Sequence, residues 1–543
     1  MPSYHAEPFT PSEAAVLNRF FTNTDRPVFG LVNLPEVVKG ALFARYSRSS
    51  KSLRRLFLDE FASDPETAAG AGALAAPLGP GNDPQVGTKR AEDLYKRVFF
   101  DFGDDSVAQL GGAHLACEQA SNLLTKVLER GRLAAYLEQS TRYVRYDIKL
   151  GGRRRYLLPD EIADSSLAAP YVSHMERVFD TYSRMLAETT AMLEKRRPAD
   201  GADPKRVRSA AIRAEACDAV RGMLPVSTLS NVGVYATGQA YEATLARMWT
   251  HPVAEVRDYA RMMLTELRKI IPSFLTRVDL EDRGVAWSRY LEGARSDLER
   301  QAVDLPPPSD PGPSVVLTDW DPDAEAKIAA AALYAVSEAP DTDLRRAVSA
   351  MTPAERAEVI AALVGDRSSR RHKPGRAMER SAYRFDVKCD IGAFRDLQRH
   401  RMMTIEWQRF TTRLGYDVPS AVTDQGLEDE WRSVMDGAGE LYESVRASLG
   451  ADVAQYVVPF AYNVRFVMEM SPRQAIHLIE LRSRPSGHDA YRSVAHQMHA
   501  AIRDEAGHRL IADSMSYIDH SEVDLGRLEG ERRAQAKRET AGL

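Results

Sequence analysis

Two stretches of this chain can be laid over each other without a gap, and that internal repeat limits the fold more than any other feature. The first is Glu129-Arg130-Gly131-Arg132-Leu133-Ala134-Ala135-Tyr136-Leu137-Glu138-Gln139-Ser140-Thr141-Arg142-Tyr143; the second runs from Leu397-Gln398-Arg399-His400-Arg401 to Arg409-Phe410-Thr411-Thr412-Arg413. Seven residues separate Arg132 from Ser140, and seven separate Arg401 from Arg409. A duplication predicts two domains of like architecture, joined where the chain can continue neither helix nor sheet. Residues 305–313 meet that condition with five prolines in nine positions, since proline fixes φ and removes a backbone donor. The expected division is a first half over 1–304, a linker over 305–313, a second half over 314–525 and a charged tail over 526–543.

Hydrophobic spacing inside the halves predicts an α+β fold that is mostly helix. Helical periods cover 105–139, 169–196, 205–222, 237–248, 253–270 and 284–303 in the first half. In the second, Ser314–Thr318 and Tyr383–Val387 read as strands and Ala324–Ser337 as a helix. Thr352-Pro353-Ala354-Glu355 is a capping box, and further helices are expected at 427–449, 472–482 and 488–518. The stretch from Leu397 to Arg413 reads as about four helical turns, with Leu397, Ile405 and Trp407 to bury. Residues 62–88, rich in Ala, Gly and Pro, read as a surface loop.

A net charge of -5 argues against bulk nucleic-acid binding, so any basic site must be local. Three cysteines without CxxC spacing indicate neither disulfides nor a metal site, and fit a reducing cytoplasm. The chain shows no leader pattern and no apolar run of membrane-spanning length, so no membrane partner is expected. His496, His499 and His508 lie at helical spacings without an acidic partner and read as polar surface rather than metal ligands.

Four arginines in the second stretch suit an anion, because the guanidinium stays charged and forks onto phosphate or carboxylate. The two stretches resemble the flavin-dependent thymidylate synthases, whose signature is Arg-His-Arg, seven residues, then Ser-x-Arg. The second keeps Arg399-His400-Arg401 but has Arg409 and Thr411 where the family has Ser and Arg. The first keeps Ser140 and Arg142, with Glu138 before them, but has Gly131 in place of the histidine. The family also carries an arginine before a Leu-Pro, then a helix ending in Leu-Arg about twenty residues on, with a histidine four beyond. The first half matches with Arg221, Leu224-Pro225, Arg247 and His251. The second offers Pro459, Arg482 and His488, with Gln455 near the missing arginine's place. The intervals from proline to arginine are 22 and 23 residues.

The resemblance implies two tandem α/β domains and reductive methylation of dUMP at C5. Methylenetetrahydrofolate would be the carbon donor and NADPH the reductant, working through FAD. It implies dUMP ligands at Glu138, Ser140, Arg142, Arg221 and Arg482, and FAD ligands at Arg399, His400, Arg401, Arg473, His477 and His488. No covalent nucleophile is expected, since Ser140 has no histidine near it in sequence to serve as its base. The losses are complementary: the first half keeps the nucleotide side, the second the flavin side. Because sites in the family are shared between subunits, two chains making the equivalent of a tetramer are expected. The rival readings are an inert nucleotide- or flavin-binding duplicate, and a C5-methylase of another pyrimidine nucleotide such as UMP.

Overall fold

The computed structural model describes residues 4–34, 36–62, 109, 111–196, 204–305, 312, 314–485 and 487–521, with a few positions in 532–540. Each half carries one four-stranded antiparallel sheet. In the first, β1 (Val28–Leu31), β2 (Gly112–Ser121), β3 (Ala134–Glu138) and β4 (Leu229–Thr237) take the order β1-β2-β4-β3. In the second, β5 (Val315–Trp320), β6 (Tyr383–Asp390), β7 (Thr404–Trp407) and β8 (Asn463–Met470) take the order β5-β6-β8-β7. The two orders are one topology written twice, and helices make up most of the rest. The fold is α+β with two like domains, as the repeat predicts.

The repeat extends to the joints. Where β2 ends, Ser121 Oγ accepts from Leu124 N at 3.1 Å and starts the helix Asn122–Leu128. Where β6 ends, Asp390 Oδ1 accepts from Ala393 N at 2.9 Å and starts Ile391–Leu397. Thr237 caps Gly238–Trp249 after β4, and Ser471 caps Pro472–Arg482 after β8. In each case a short polar side chain closes the strand and satisfies an orphan donor of the next helix. The capping box at Thr352 forms with both of its bonds, opening Pro353–Val364, and Gly365 ends that helix at φ 63°.

Three expectations need correction. Residues 105–139 are not one helix: among the described ones only Asn122–Leu128 is α-helical, between β2 and β3. Leu115, Ala116, Cys117 and Ala120 are all fully buried, so β2 lacks the alternation of a one-sided strand. A register shift between Cys117 and Ala120, with Gln119 at φ 54°, breaks its period further. The stretch from Leu397 is not four helical turns either. Helix Ile391–Leu397 stops there, Arg399-His400-Arg401 form a connection, and Thr404–Trp407 is β7. Phe394 meets Trp407, Phe410 and Phe466 at ring-centroid distances of 5.6, 6.0 and 4.9 Å, so the apolar residues fasten a strand rather than a helix face. The expected helix 488–518 is divided into Asp489–Ala500, a π-helical turn Ala501–Glu505 and Arg509–Asp513. The loop at 62–88 and the linker at 305–313 fall almost wholly outside the described residues, as does most of the tail 526–543.

Contacts divide the chain into two units, each built from three segments. Unit 1 joins Met1–Met185, Leu224–Pro308 and Asp436–Val458; unit 2 joins Leu186–Met223, Ser309–Met435 and Pro459–Leu543. One division falls in the proline stretch, but each unit also holds a segment from the other half of the sequence. The helix Lys205–Val220 and the 3-10 turn Arg221–Met223 lie in unit 2, and the 3-10 turn Gln455–Val457 lies in unit 1. These turns hold the same place in the repeat, each two residues before a proline. Each is tied in by the same bond: in unit 1 Ser227 N donates to Tyr456 O at 3.2 Å, and in unit 2 Ala461 N donates to Gly222 O at 2.8 Å.

Candidate functional site

The exchanged turn brings Arg221 into unit 2, where seven of the other expected ligands also lie. Arg221 is 4% exposed and lines a cavity of about 410 Å³ with Asp218, Asp390, Gly392, Asp417 and His488. Its Nε stands 3.0 Å from Asp218 Oδ1. The other oxygen of Asp218 is 3.3 Å from His488 Nδ1, and His488 Nε2 is 3.8 Å from Asp390 Oδ1. A run of alternating charge, Arg221, Asp218, His488, Asp390, therefore crosses the cavity wall. Burial works against charge on His488, but Asp218 and then Asp390 outweigh it and the repulsion of Arg221, so its pKa is raised. Asp417 is pushed up by burial and by neighbouring Asp390. Gly392 permits the close approach: a Cβ there would lie 2.8 Å from Asp390 Oδ1 and 3.6 Å from Arg221 Cζ.

Around Arg482 a second cluster forms on the same unit. Arg482 Nε donates to His400 Nε2 at 2.9 Å, and its NH2 donates to Asp396 O at 2.5 Å. His400 is 6% exposed, with Nδ1 3.3 Å from the Gln474 side-chain amide. An arginine can only donate, so Nε2 keeps its lone pair and the ring is neutral. Burial, then Arg482, then His477 push the His400 pKa well below the ordinary histidine value. The His477 ring meets His400 edge-on at 5.6 Å, and its pKa is held down at about 4 by burial first and then by Lys373, Arg370 and Arg482. His477 Nδ1 is buried without a hydrogen-bond partner among the described residues. Tyr491 bridges the two clusters, its ring 5.3 Å from the Arg482 guanidinium and 6.2 Å from His488.

Arg399 NH1 lies 3.9 Å from Asp396 Oδ1, and Arg401 is exposed. Arg473 is committed to its own surroundings, donating to Pro374 O at 2.8 Å and to Glu379 Oε1 at 3.0 Å. Glu138, Ser140 and Arg142 lie in unit 1. Glu138 is buried and accepts from Thr125 Oγ1 at 3.0 Å and Lys126 Nζ at 3.3 Å, which fixes the end of β3 just before Ser140. Ser140 N donates to Ser47 O at 2.9 Å, and Arg142 N reaches Ser140 Oγ at 3.4 Å. Arg48 stacks over the Tyr143 ring at 5.1 Å. The basic stretch Arg45–Lys51 is thus the neighbour of Ser140, a pairing far apart in sequence.

Sequence reasoning missed Asp218, Asp390, Asp396 and Tyr491. The signal for Asp218 was present, three residues before Arg221 on a helix, where side chains meet. His499 and His508 are buried, not polar surface; His508 Nδ1 pairs with the Tyr383 hydroxyl at 2.8 Å. Among the described residues no group of three or more His, Cys, Asp or Glu is arranged to hold a metal ion, and no helix is long and apolar enough to cross a membrane.

Comparison with known proteins matches residues 58–273 and 315–506 to the family described as thymidylate synthase complementing protein. A UPF0159 protein of Chlamydia muridarum is 38% identical over 534 residues, covering 97% of this chain and 99% of that protein. A UPF0159 protein of Thermoplasma acidophilum is 31% identical over 527 residues, covering 92% and 99%. A flavin-dependent thymidylate synthase of Clostridium tetani is 24% identical over 185 residues, 33% of this chain and 67% of that protein.

Proposed function

The chain belongs to the thymidylate synthase complementing protein family, and from that premise we propose that it methylates the C5 of dUMP reductively to give dTMP. The carbon donor is methylenetetrahydrofolate, and NADPH is the reductant through FAD. The observation that carries this reading is the arrival of Arg221, from the first half of the sequence, in the unit that holds Arg399-His400-Arg401 and Arg482. A nucleotide-side group and flavin-side groups retained by different copies are brought into one folded body, joined through Tyr491.

In this reading Arg221 grips the nucleotide, and Asp218, itself held by His488, keeps its guanidinium in one orientation. Arg482 adds a second guanidinium. Ser140 and Arg142 are further nucleotide ligands of the assembled protein, with Glu138 setting the end of the strand that carries them. A flavin diphosphate requires cations, which Arg399 and Arg401 supply. A bound flavin also requires polar partners, and the buried Nδ1 of His477 supplies an open one. Once bound, flavin supplies hydride transfer, the chemistry that side chains lack. His400, kept neutral, places no proton and no positive charge on the wall it shares with Arg482. The assembly is a homodimer equivalent to a tetramer of single-copy chains.

Tritium release from C5-labelled dUMP, dependent on both methylenetetrahydrofolate and NADPH, tests the reading. Release from labelled UMP alone would assign a different pyrimidine substrate. Retained yellow colour with release from neither nucleotide would mark an inert flavin-binding duplicate and sink the proposal.

A further inference from the structure

Unit 2 holds a second cavity, of about 480 Å³, whose lining includes Arg370, Arg371, Arg484, Glu480, Tyr517 and Asp519. Its floor is a closed ion pair. Arg367 donates to Glu480 Oε1 at 2.8 Å and to Oε2 at 2.6 Å, and both side chains are buried. Tyr517 locks this pair by donating from its hydroxyl to Arg367 O at 2.5 Å. Glu480 is therefore paired with Arg367 first, and its pull on Arg370 is outweighed by burial and by Arg484. Asp519 is engaged too, its Oδ1 accepting from both the backbone and the hydroxyl of Ser521.

Arg370 and Arg484 both line the cavity, and neither forms an ion pair among the described residues. Burial and then Arg484 lower the Arg370 pKa, and the same field, with Lys373, reaches His477. Like charges gathered in one cavity are unfavourable when the site is empty and favourable when an anion fills it. Two guanidiniums offer forked donors that match phosphate oxygens. A volume in the range of small-molecule sites suits more than a lone ion.

We propose that this cavity binds a phosphate-bearing ligand of nucleotide size through Arg370 and Arg484, separately from the cleft at Arg221. The recognised group is a phosphomonoester or a diphosphate. Nothing in this assignment depends on the methylation reading, since its readout is binding.

The full-length protein is titrated by calorimetry with pyrophosphate and with inorganic phosphate at low ionic strength. Saturable binding of either probe is expected, and the preferred probe identifies diphosphate or monoester as the recognised group. Arg370→Ala combined with Arg484→Ala should weaken that binding by about tenfold or more, as loss of charge-assisted hydrogen bonds implies. Arg503→Ala, which removes an exposed guanidinium from the same unit, should leave it unchanged, and thermal melts confirm that both variants fold. Absence of saturable binding of both probes overturns the proposal. So does equal weakening by Arg503→Ala, because that outcome means diffuse attraction rather than a site. Single Arg484→Ala, an exposed position whose replacement leaves the Arg367–Glu480 floor intact, keeps the test decisive if the double variant fails to fold.

Discussion

At the place where unit 2 carries His400, unit 1 carries Gly131, and the difference is more than one missing ring. A Cβ at Gly131 would lie 2.5 Å from the Tyr136 hydroxyl, so a neighbouring side chain has moved into the space a histidine would need. The residues around the two positions have diverged to match. Gln474 and Arg482 hold His400 in unit 2. In unit 1 their counterparts are Gln239 and Arg247; Arg247 donates to Thr244 Oγ1 at 3.3 Å, and burial, then Arg130, lowers its pKa. The exchanged turns differ in the opposite direction, with Arg221 in unit 2 and Gln455 in unit 1, where Gln455 donates to its own helix at Asp452 O. The divergence is lopsided: in unit 1 Tyr136 fills the space beside Gly131, and unit 2 gains an arginine from the first half of the sequence.

The contrast breaks first at Arg221. Arg221→Ala leaves the half-buried Asp218 with His488 but without its guanidinium, a loss of a charged contact that typically costs about 1.5–3 kcal/mol, and dUMP affinity should fall at least about a hundredfold. Gln455→Ala removes no charged contact, and loss of its hydrogen bond to Asp452 O should cost about 1 kcal/mol. Denaturant melts and dUMP titrations of both variants compare them, and equal losses would erase the asymmetry.

Swapping the paired residues comes next. His400→Gly unpairs Arg482 Nε and should reduce flavin retention, read as visible absorbance after gel filtration, by about tenfold or more. Gly131→His should destabilise by about 1–3 kcal/mol through overpacking against Tyr136 and bring no flavin; a gain of flavin there would show the pocket in unit 1 to be open. At exposed or half-buried arginines the effects are smaller, about tenfold. Arg142→Ala should weaken nucleotide binding and Arg399→Ala flavin binding, and if both lost only flavin, the division of labour would be wrong.

The smallest effect is the pH response of stability. His400 and His477 have depressed pKa values, so below the ordinary value of 6.5 the unfolded chain binds protons that the native state refuses. Stability should fall as pH drops from 6.5 toward about 4. His488 acts with the opposite sign: its raised pKa stabilises below 6.5, and that contribution is lost as pH rises through the raised value. His477→Gln should flatten the acid limb of a urea-melt series, and His488→Gln the other.

Much of this was legible because duplication is written in spacing. The paired stretches and the proline-to-arginine intervals hold equivalent places in the two sheets, and the capping box at Thr352 forms where its residue types put it. The strand β2 was lost because a strand buried on both faces shows no alternation, as the neighbours Leu115 and Ala116 illustrate. Arg399–Trp407 was misread because Leu397, Ile405 and Trp407 have apolar spacing that a turn followed by a strand satisfies as well as a helix. Asp390 and Asp396 could not be found from spacing, since their value lies in what reaches them from other segments, His488 and Arg482.

The crossed ownership of the two turns also governs the order in which this polypeptide can mature. Unit 1 needs residues up to Val458, so Ser309–Met435 of unit 2 has been synthesised before its last piece leaves the ribosome. Proteins usually fold domain by domain as they emerge; here the first domain must wait, with the 3-10 turn at Gln455 still unmade. Expressing either half alone would strand each product without the segment that finishes it, and co-expression of the severed halves is the way to recover both.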